Sequence, residues 1–223
     1  DTIMVGHSSP RDLAAMALGS SIYASVFVGL MGVVIALTPI IAQHFGGERL
    51  AEIGKTYMQG LWLALWLTIV GDFAMGFPDA WLVMSAVDAA VGSKVAAYLH
   101  ALMFALPAAL VFRTVYSLNV AVSRPKVTMA INLIGLALKI PLNYVLVYGK
   151  LGMPALGAAG CGYATAIVMW ASCGIALIAL SRDPFYRRFA IGFDWPRWKY
   201  QSELLRLGIP TGLSYIVEVT SFT

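Results

Sequence analysis

A chain of 223 residues that is 60% hydrophobic and only 12% charged is not an ordinary soluble domain, where about a quarter of residues carry charge. Its net charge of +4 is modest and does not suggest nucleic acid as a partner. What remains is an integral membrane protein, an all-α polytopic helix bundle.

Residues 1–6 read as the end of a membrane helix, and His7 to Asp12 as a turn broken by Ser8, Ser9 and Pro10. A second span is predicted from about Leu13 to Ala42, with Pro39 near its end. Gln43 to Lys55 is a polar connector with Gly46-Gly47 as a chain break. The third span, about Thr56 to Phe77, contains Asp72 near its outer end, and Pro78 to Lys94 forms an amphipathic connector. The fourth span, about Val95 to Val122, is kinkable at Pro107 and carries Arg113. After the basic turn Ser123 to Lys126 comes the fifth span, Val127 to Tyr148, closed by Gly149 to Pro154. The sixth runs from about Ala155 to Ser181, and its Gly- and Ala-rich start, Leu156 to Ala166, lets helices approach closely. Arg182 to Ser202 is the longest polar stretch, and Glu203 to Thr223 begins a seventh span with Pro210 and Glu218.

Alternate loops differ in charge. Arg49, Lys55, Arg124, Lys126, Arg182, Arg187, Arg188, Arg197, Lys199 and Arg206 lie on one side, and only Arg11, Lys94 and Lys150 on the other. This bias puts the 43–55, 123–126 and 182–206 loops in the cytoplasm. Trp195 and Trp198 fit an aromatic interface belt. The expected organisation is a membrane lobe over 1–181, a cytoplasmic linker over 182–202 and the start of a second lobe over 203–223. Both ends fall inside apolar helices, so the chain reads as a fragment of a longer protein.

The fifth span organises the rest. It is long enough to cross a bilayer, yet Asn132, Leu136, Lys139 and Asn143 share one helical face. A Lys at mid-membrane costs about 2.5 kcal/mol or more, so this stripe must face other helices or a watery cavity. Pro141 removes a backbone donor beside it. For Lys139, a structural ion pair and a functional role stand as equal readings. Asp72 is close enough to its helix end to reach water, and Arg113 to snorkel. Glu218 lies well inside its span and favours function. His7 and His44 sit in turns, and His100 with Tyr98 suits an interfacial hydrogen bonder. Cys161 and Cys173 lie in an apolar span and read as small packing residues. No ligand pair has metal spacing, and no nucleophile elbow or phosphate-cradling loop is present.

Asp1-Thr-Ile-Met and Glu218-Val-Thr-Ser-Phe form a faint echo, each an acid followed by small and apolar residues. With six spans, a long linker and a seventh start, it suggests a parallel six-plus-six repeat of the kind found in secondary transporters.

On several segments the chain resembles the multidrug and toxic compound extrusion family, especially its NorM-type bacterial branch. They are Asp1-Thr-Ile-Met-Val-Gly-His, Asp12-Leu-Ala-Ala, Thr38-Pro-Ile-Ile-Ala-Gln, Ile140-Pro-Leu-Asn-Tyr-Val-Leu-Val-Tyr-Gly, Gly157-Ala-Ala-Gly-Cys-Gly-Tyr-Ala-Thr-Ala and Arg206-Leu-Gly-Ile-Pro. The resemblance implies twelve helices in two six-helix lobes, of which this chain supplies the first, with helix one truncated, plus the start of the second. It implies an exporter, not an enzyme, that exchanges cationic or amphipathic compounds for Na⁺ or H⁺ and needs no cofactor. It also implies a monomer when complete, in the bacterial inner membrane. Asp1 matches the family's helix-one acid, Asn143 a polar position of helix five, Thr165 a helix-six Thr, and Glu218 the helix-seven acid. Lys139 departs from the pattern, since relatives often carry Asn there. The resemblance puts it beside Asp1, where an ammonium competes with a metal cation. The rival readings are a flippase of a lipid-linked sugar, which a strongly cationic cavity would favour, an intramembrane enzyme, for which no acid–base cluster is visible, and a channel.

Overall fold

A computed structural model describes residues 1–6, 9–78, 81, 88–150, 152 and 154–222. His7, Leu82 to Val87 in the 78–94 connector, and Thr223 lie outside the described residues. Ten helices are described: α1 (Thr2–Gly6), α2 (Pro10–Ile35), α3 (Leu37–Gly46), α4 (Leu50–Met75), α5 (Ala89–Met103), α6 (Leu106–Ala121), α7 (Pro125–Tyr148), α8 (Gly157–Arg182), α9 (Pro184–Arg187) and α10 (Trp198–Phe222). Among the described residues there is no strand.

The breaks have local causes. Ser9 caps α2 by accepting from the Arg11 backbone N–H, with Pro10 in the first turn. Pro39 has no N–H to offer Ile35, and α2 ends there. In the same way Pro107 cannot bond Met103, and α5 ends at that residue. The expected fourth span is therefore two helices, bent by 45°. Pro141 stays inside α7. Gly149 closes α7 at φ 68°, in the left-handed region that glycine adopts without a Cβ penalty.

Among the described residues, four stretches are long and apolar enough to cross a membrane: Pro10–Gly46, Leu50–Met75, Pro125–Tyr148 and Gly157–Arg182. The bent pair makes a fifth. The expected seventh span forms α10, which begins at Trp198, ahead of Glu203. Its Arg206, Glu218 and interspersed Gly, Ser and Thr dilute its apolar content. α7 packs on α8, α5 on both α2 and α8, α4 on α6, and α10 on α2.

Small residues set the closest crossings. A Cβ on Gly160 would lie 2.5 Å from the Leu146 carbonyl oxygen, so the Gly-rich start of α8 serves the close approach to α7 that its composition implies. A Cβ on Gly32 would lie 2.5 Å from Cα of Gly212, so α2 and α10 touch backbone to backbone. Elsewhere the bundle is filled by two apolar clusters. One is built around Leu37, Tyr57, Leu106, Leu118 and Phe189, the other around Val5, Met16, Leu99, Val147 and Cys161.

The polar stretch after α8 is pinned to the bundle. Gln59 of α4 donates to the Trp195 carbonyl at 2.8 Å and accepts from the Arg197 N–H at 2.8 Å. Trp62 Nε1 donates to the Asp194 carbonyl at 2.9 Å. At the other end Arg124 pairs with Asp183 at 2.6 Å, and the Phe185 ring lies under the guanidinium groups of both Arg124 and Arg188. Tyr186 donates to Asn119, which in turn donates to Thr128.

Candidate functional site

The charged cluster forms where α1 meets α7. Lys139 and Asn143 stand one turn apart on α7, so both side chains reach the same neighbour. That neighbour is Asp1. Its Oδ2 accepts from Lys139 Nζ at 2.6 Å, and its Oδ1 accepts from Asn143 Nδ2 at 2.6 Å. A further bond fixes the two helices, the Tyr148 hydroxyl donating to the Met4 carbonyl at 2.8 Å. Asn143 is buried, and its own Oδ1 has no hydrogen-bond partner. The cluster therefore keeps one open acceptor beside a carboxylate that already holds a cation. The Cys161 thiol is a titratable group close to it.

On the other side of Lys139 lies a small cavity of about 140 Å³. Asn132, Gly135, Leu136 and Ser172 line it together with Lys139. The polar stripe read from the sequence is thus split between two uses: Asn132 and Leu136 border the cavity, Asn143 binds Asp1, and Lys139 does both.

Three of the five expected residues, Asp1, Lys139 and Asn143, come together. Thr165 does not join them by any hydrogen bond, because its hydroxyl donates to the Cys161 carbonyl of its own helix at 2.9 Å. Glu218 is exposed on α10 and lines a separate recess with Thr211, Ser214 and Tyr215. Two other intramembrane charges are half-buried, each with one polar atom that has no hydrogen-bond partner. Arg113 places its guanidinium 4.4 Å from the centre of the Tyr116 ring, and its Nε is buried without a hydrogen-bond partner. One carboxylate oxygen of Asp72 is likewise buried without a hydrogen-bond partner. Among the described residues no group of three or more His, Cys, Asp and Glu side chains converges.

Asp12 is the residue that sequence reasoning passed over. It is buried, accepts from Lys94 Nζ at 2.7 Å and lies 3.5 Å from the Ala158 N–H at the start of α8. Gly157, at φ 55°, has no room for a Cβ beside this carboxylate, which would sit 2.8 Å away. One anion thus joins α2, α5 and the positive end of α8. An acid in the first turn of α2 was visible in the sequence, but that is also the signature of an ordinary helix start, and only the fold brings Lys94 and Gly157 to it.

These features define a class: a polytopic α-helical membrane protein whose helices hold a hydrogen-bonded ion pair. Residues 1–145 match the family profile MatE, and the chain belongs to that family. It is 44% identical over its whole length to a probable multidrug resistance protein NorM of Aromatoleum aromaticum. It is 38% identical to the multidrug resistance protein NorM of Vibrio vulnificus. In each case it spans 49% of the relative, so the chain covers about half the length of the curated proteins it matches. Among solved structures, a MATE transporter NorM-NG in complex with R6G and a monobody superposes with a TM-score of 0.79 at 34% identity. That likeness covers 99% of this chain and 49% of the other. The eukaryotic MATE transporter AtDTX14 shares the fold, with a TM-score of 0.89 at 19% identity, over 99% of this chain and 49% of that one.

Proposed function

We propose that this chain forms the first lobe, with the opening helix of the second, of a secondary active exporter. It moves cationic or amphipathic compounds out of the cell in exchange for protons, by alternating access, and is not an enzyme. The names of its relatives support multidrug efflux. The observation that carries the coupling is the Asp1–Lys139 contact at 2.6 Å. An ammonium already paired with the carboxylate leaves little reason for Na⁺ to bind there. Protonating Asp1 removes the charge that holds Lys139. The freed ammonium then has Asn132 and Ser172 across the adjoining cavity as partners, and Asn143 Oδ1 can accept from the new carboxylic O–H. The α1–α7 contact is therefore two-state, and a proton biases one state over the other. Substrate and proton compete only through their different affinities for those two states. Glu218, in its own recess on α10, gives the second lobe an acid that attracts a cationic compound.

Efflux of ethidium from vesicles holding the protein at its native length tests this reading. A pH gradient and a Na⁺ gradient are imposed separately, on the native sequence and on Asp1→Asn. Gradient-driven efflux that disappears in the variant is the expected result. Absence of efflux for any cationic dye, with folded protein in the membrane, would instead favour a flippase of a lipid-linked sugar.

A further inference from the structure

Below the pinned strap between α9 and α10 lies an apolar groove of about 500 Å³. Its α4 wall is Leu63, Trp66, Leu67 and Val70, a single helical stripe two turns long, or about 10 Å at 1.5 Å per residue. Its other wall is Trp198 and Leu205 of α10, with Pro196 closing the top. The one polar side chain in the lining, Gln201, is already bonded to Gln59. The groove therefore offers an occupant apolar contact alone.

The rim is different. The strap's backbone is held by Gln59 and Trp62, yet it displays Phe193 and Trp195, next to Trp198 at the start of α10, with 69%, 71% and 77% of their surfaces exposed. Aromatic side chains fixed in the open suit the headgroup level of a bilayer, where one part of the ring is apolar and the other wet. Cations accompany them. Arg197, whose side chain also pairs with Asp194 at 3.0 Å, and Lys199 flank Trp198, and both are exposed. From Arg182 to Arg206 six cations face three acids.

We propose that this groove binds one anionic phospholipid. An acyl chain lies between α4 and α10, and the phosphate is held at the rim by Arg197 and Lys199. The apolar floor selects a chain over a soluble anion, and the cationic rim selects an anionic over a zwitterionic headgroup. The site is separate from the Asp1 cluster and does not depend on the transport reading.

The test is native mass spectrometry of the detergent-solubilised protein at its native length, offered equal phosphatidylglycerol and phosphatidylcholine. One phosphatidylglycerol is retained in preference to phosphatidylcholine. The double variant Arg197→Gln/Lys199→Gln, confined to the surface, loses that preference, by about fivefold per cation removed. Val70→Phe narrows the groove and weakens retention of both lipids, and millimolar inorganic phosphate leaves the bound lipid in place. Equal retention of the two lipids, or a preference untouched by the double variant, overturns the proposal. Displacement by inorganic phosphate would make the rim a free-anion site and overturns it too. So does failure to retain any lipid, the outcome expected if the rest of the protein covers the groove.

Discussion

Asp1 has two partners on one helix, and they are not equivalent. Asn143 donates one neutral hydrogen bond, whereas Lys139 supplies both a donor and the compensating charge. Removing one member of such a pair strands the other among apolar helices, while removing both strands neither. Lys139→Met is therefore expected to lower the unfolding midpoint in detergent, and Asp1→Asn in the same chain to recover part of the loss. The coupling in a double-mutant cycle should be about 0.5–3 kcal/mol. Strictly additive effects would mean that the contact contributes nothing. This part of the site was legible before the fold was known, because a Lys and an Asn one turn apart in an otherwise apolar span leave lipid as no option. Its acid partner was legible only through the family resemblance, since no spacing rule connects residue 1 to residue 139. Thr165 shows the limit of the same reasoning: a Thr in a buried helix commonly satisfies itself on the carbonyl one turn back, as it does here.

At the level of helices, prolines and glycines explain most of what spans and loops alone do not. Pro39 and Pro107 each stand four residues after a helix end, so a continuous apolar run in the sequence becomes two helices in the fold. Composition marked these runs as single spans because hydropathy does not register a lost backbone donor. The α2–α10 crossing is equally invisible to hydropathy, as it depends on Gly32 meeting Gly212 across the bundle. Gly32→Ala inserts a methyl against backbone, which cannot rotate away. It should cost about 1–3 kcal/mol and lower the thermal midpoint, whereas Gly174→Ala, with nothing near its Cβ, should not. The polar stretch 182–202 reads as a linker in the sequence, and in the fold it is anchored to the bundle between Asp183 and Arg197. Its first anchor is pH-sensitive in a defined direction. The Phe185 N–H and the Arg124 guanidinium hold the Asp183 carboxyl below its ordinary range, against a smaller opposing effect of partial burial. A depressed acid stabilises the fold above its unfolded pKa of about 3.9 and loses that contribution as pH falls through the lower folded value. Asp183→Asn should thus be less stable than the native sequence by a constant margin from pH 6 to 8. The two should converge below about pH 4, and a margin that widens on acidification would contradict the anchor.

For the molecule as a whole, a helix bundle covering half the length of its relatives contains a charged cluster of its own, held together by protein groups. Asp1 accepts from both Lys139 and Asn143, so in the proposed function a proton acts on this lobe without help from the second. Glu218 on α10 sits apart from them in its own recess, and the proposed function accordingly gives ion and substrate different recesses. The central claim is that an internal ammonium takes the place of a metal cation at Asp1. Ethidium efflux from vesicles with the protein at native length tests it most directly, comparing the native sequence with Lys139→Asn. Efflux by the native sequence should follow an imposed pH gradient in the absence of Na⁺ and ignore a Na⁺ gradient at uniform pH, and Lys139→Asn should acquire a response to Na⁺. Native efflux driven by Na⁺ alone and indifferent to pH would contradict the account.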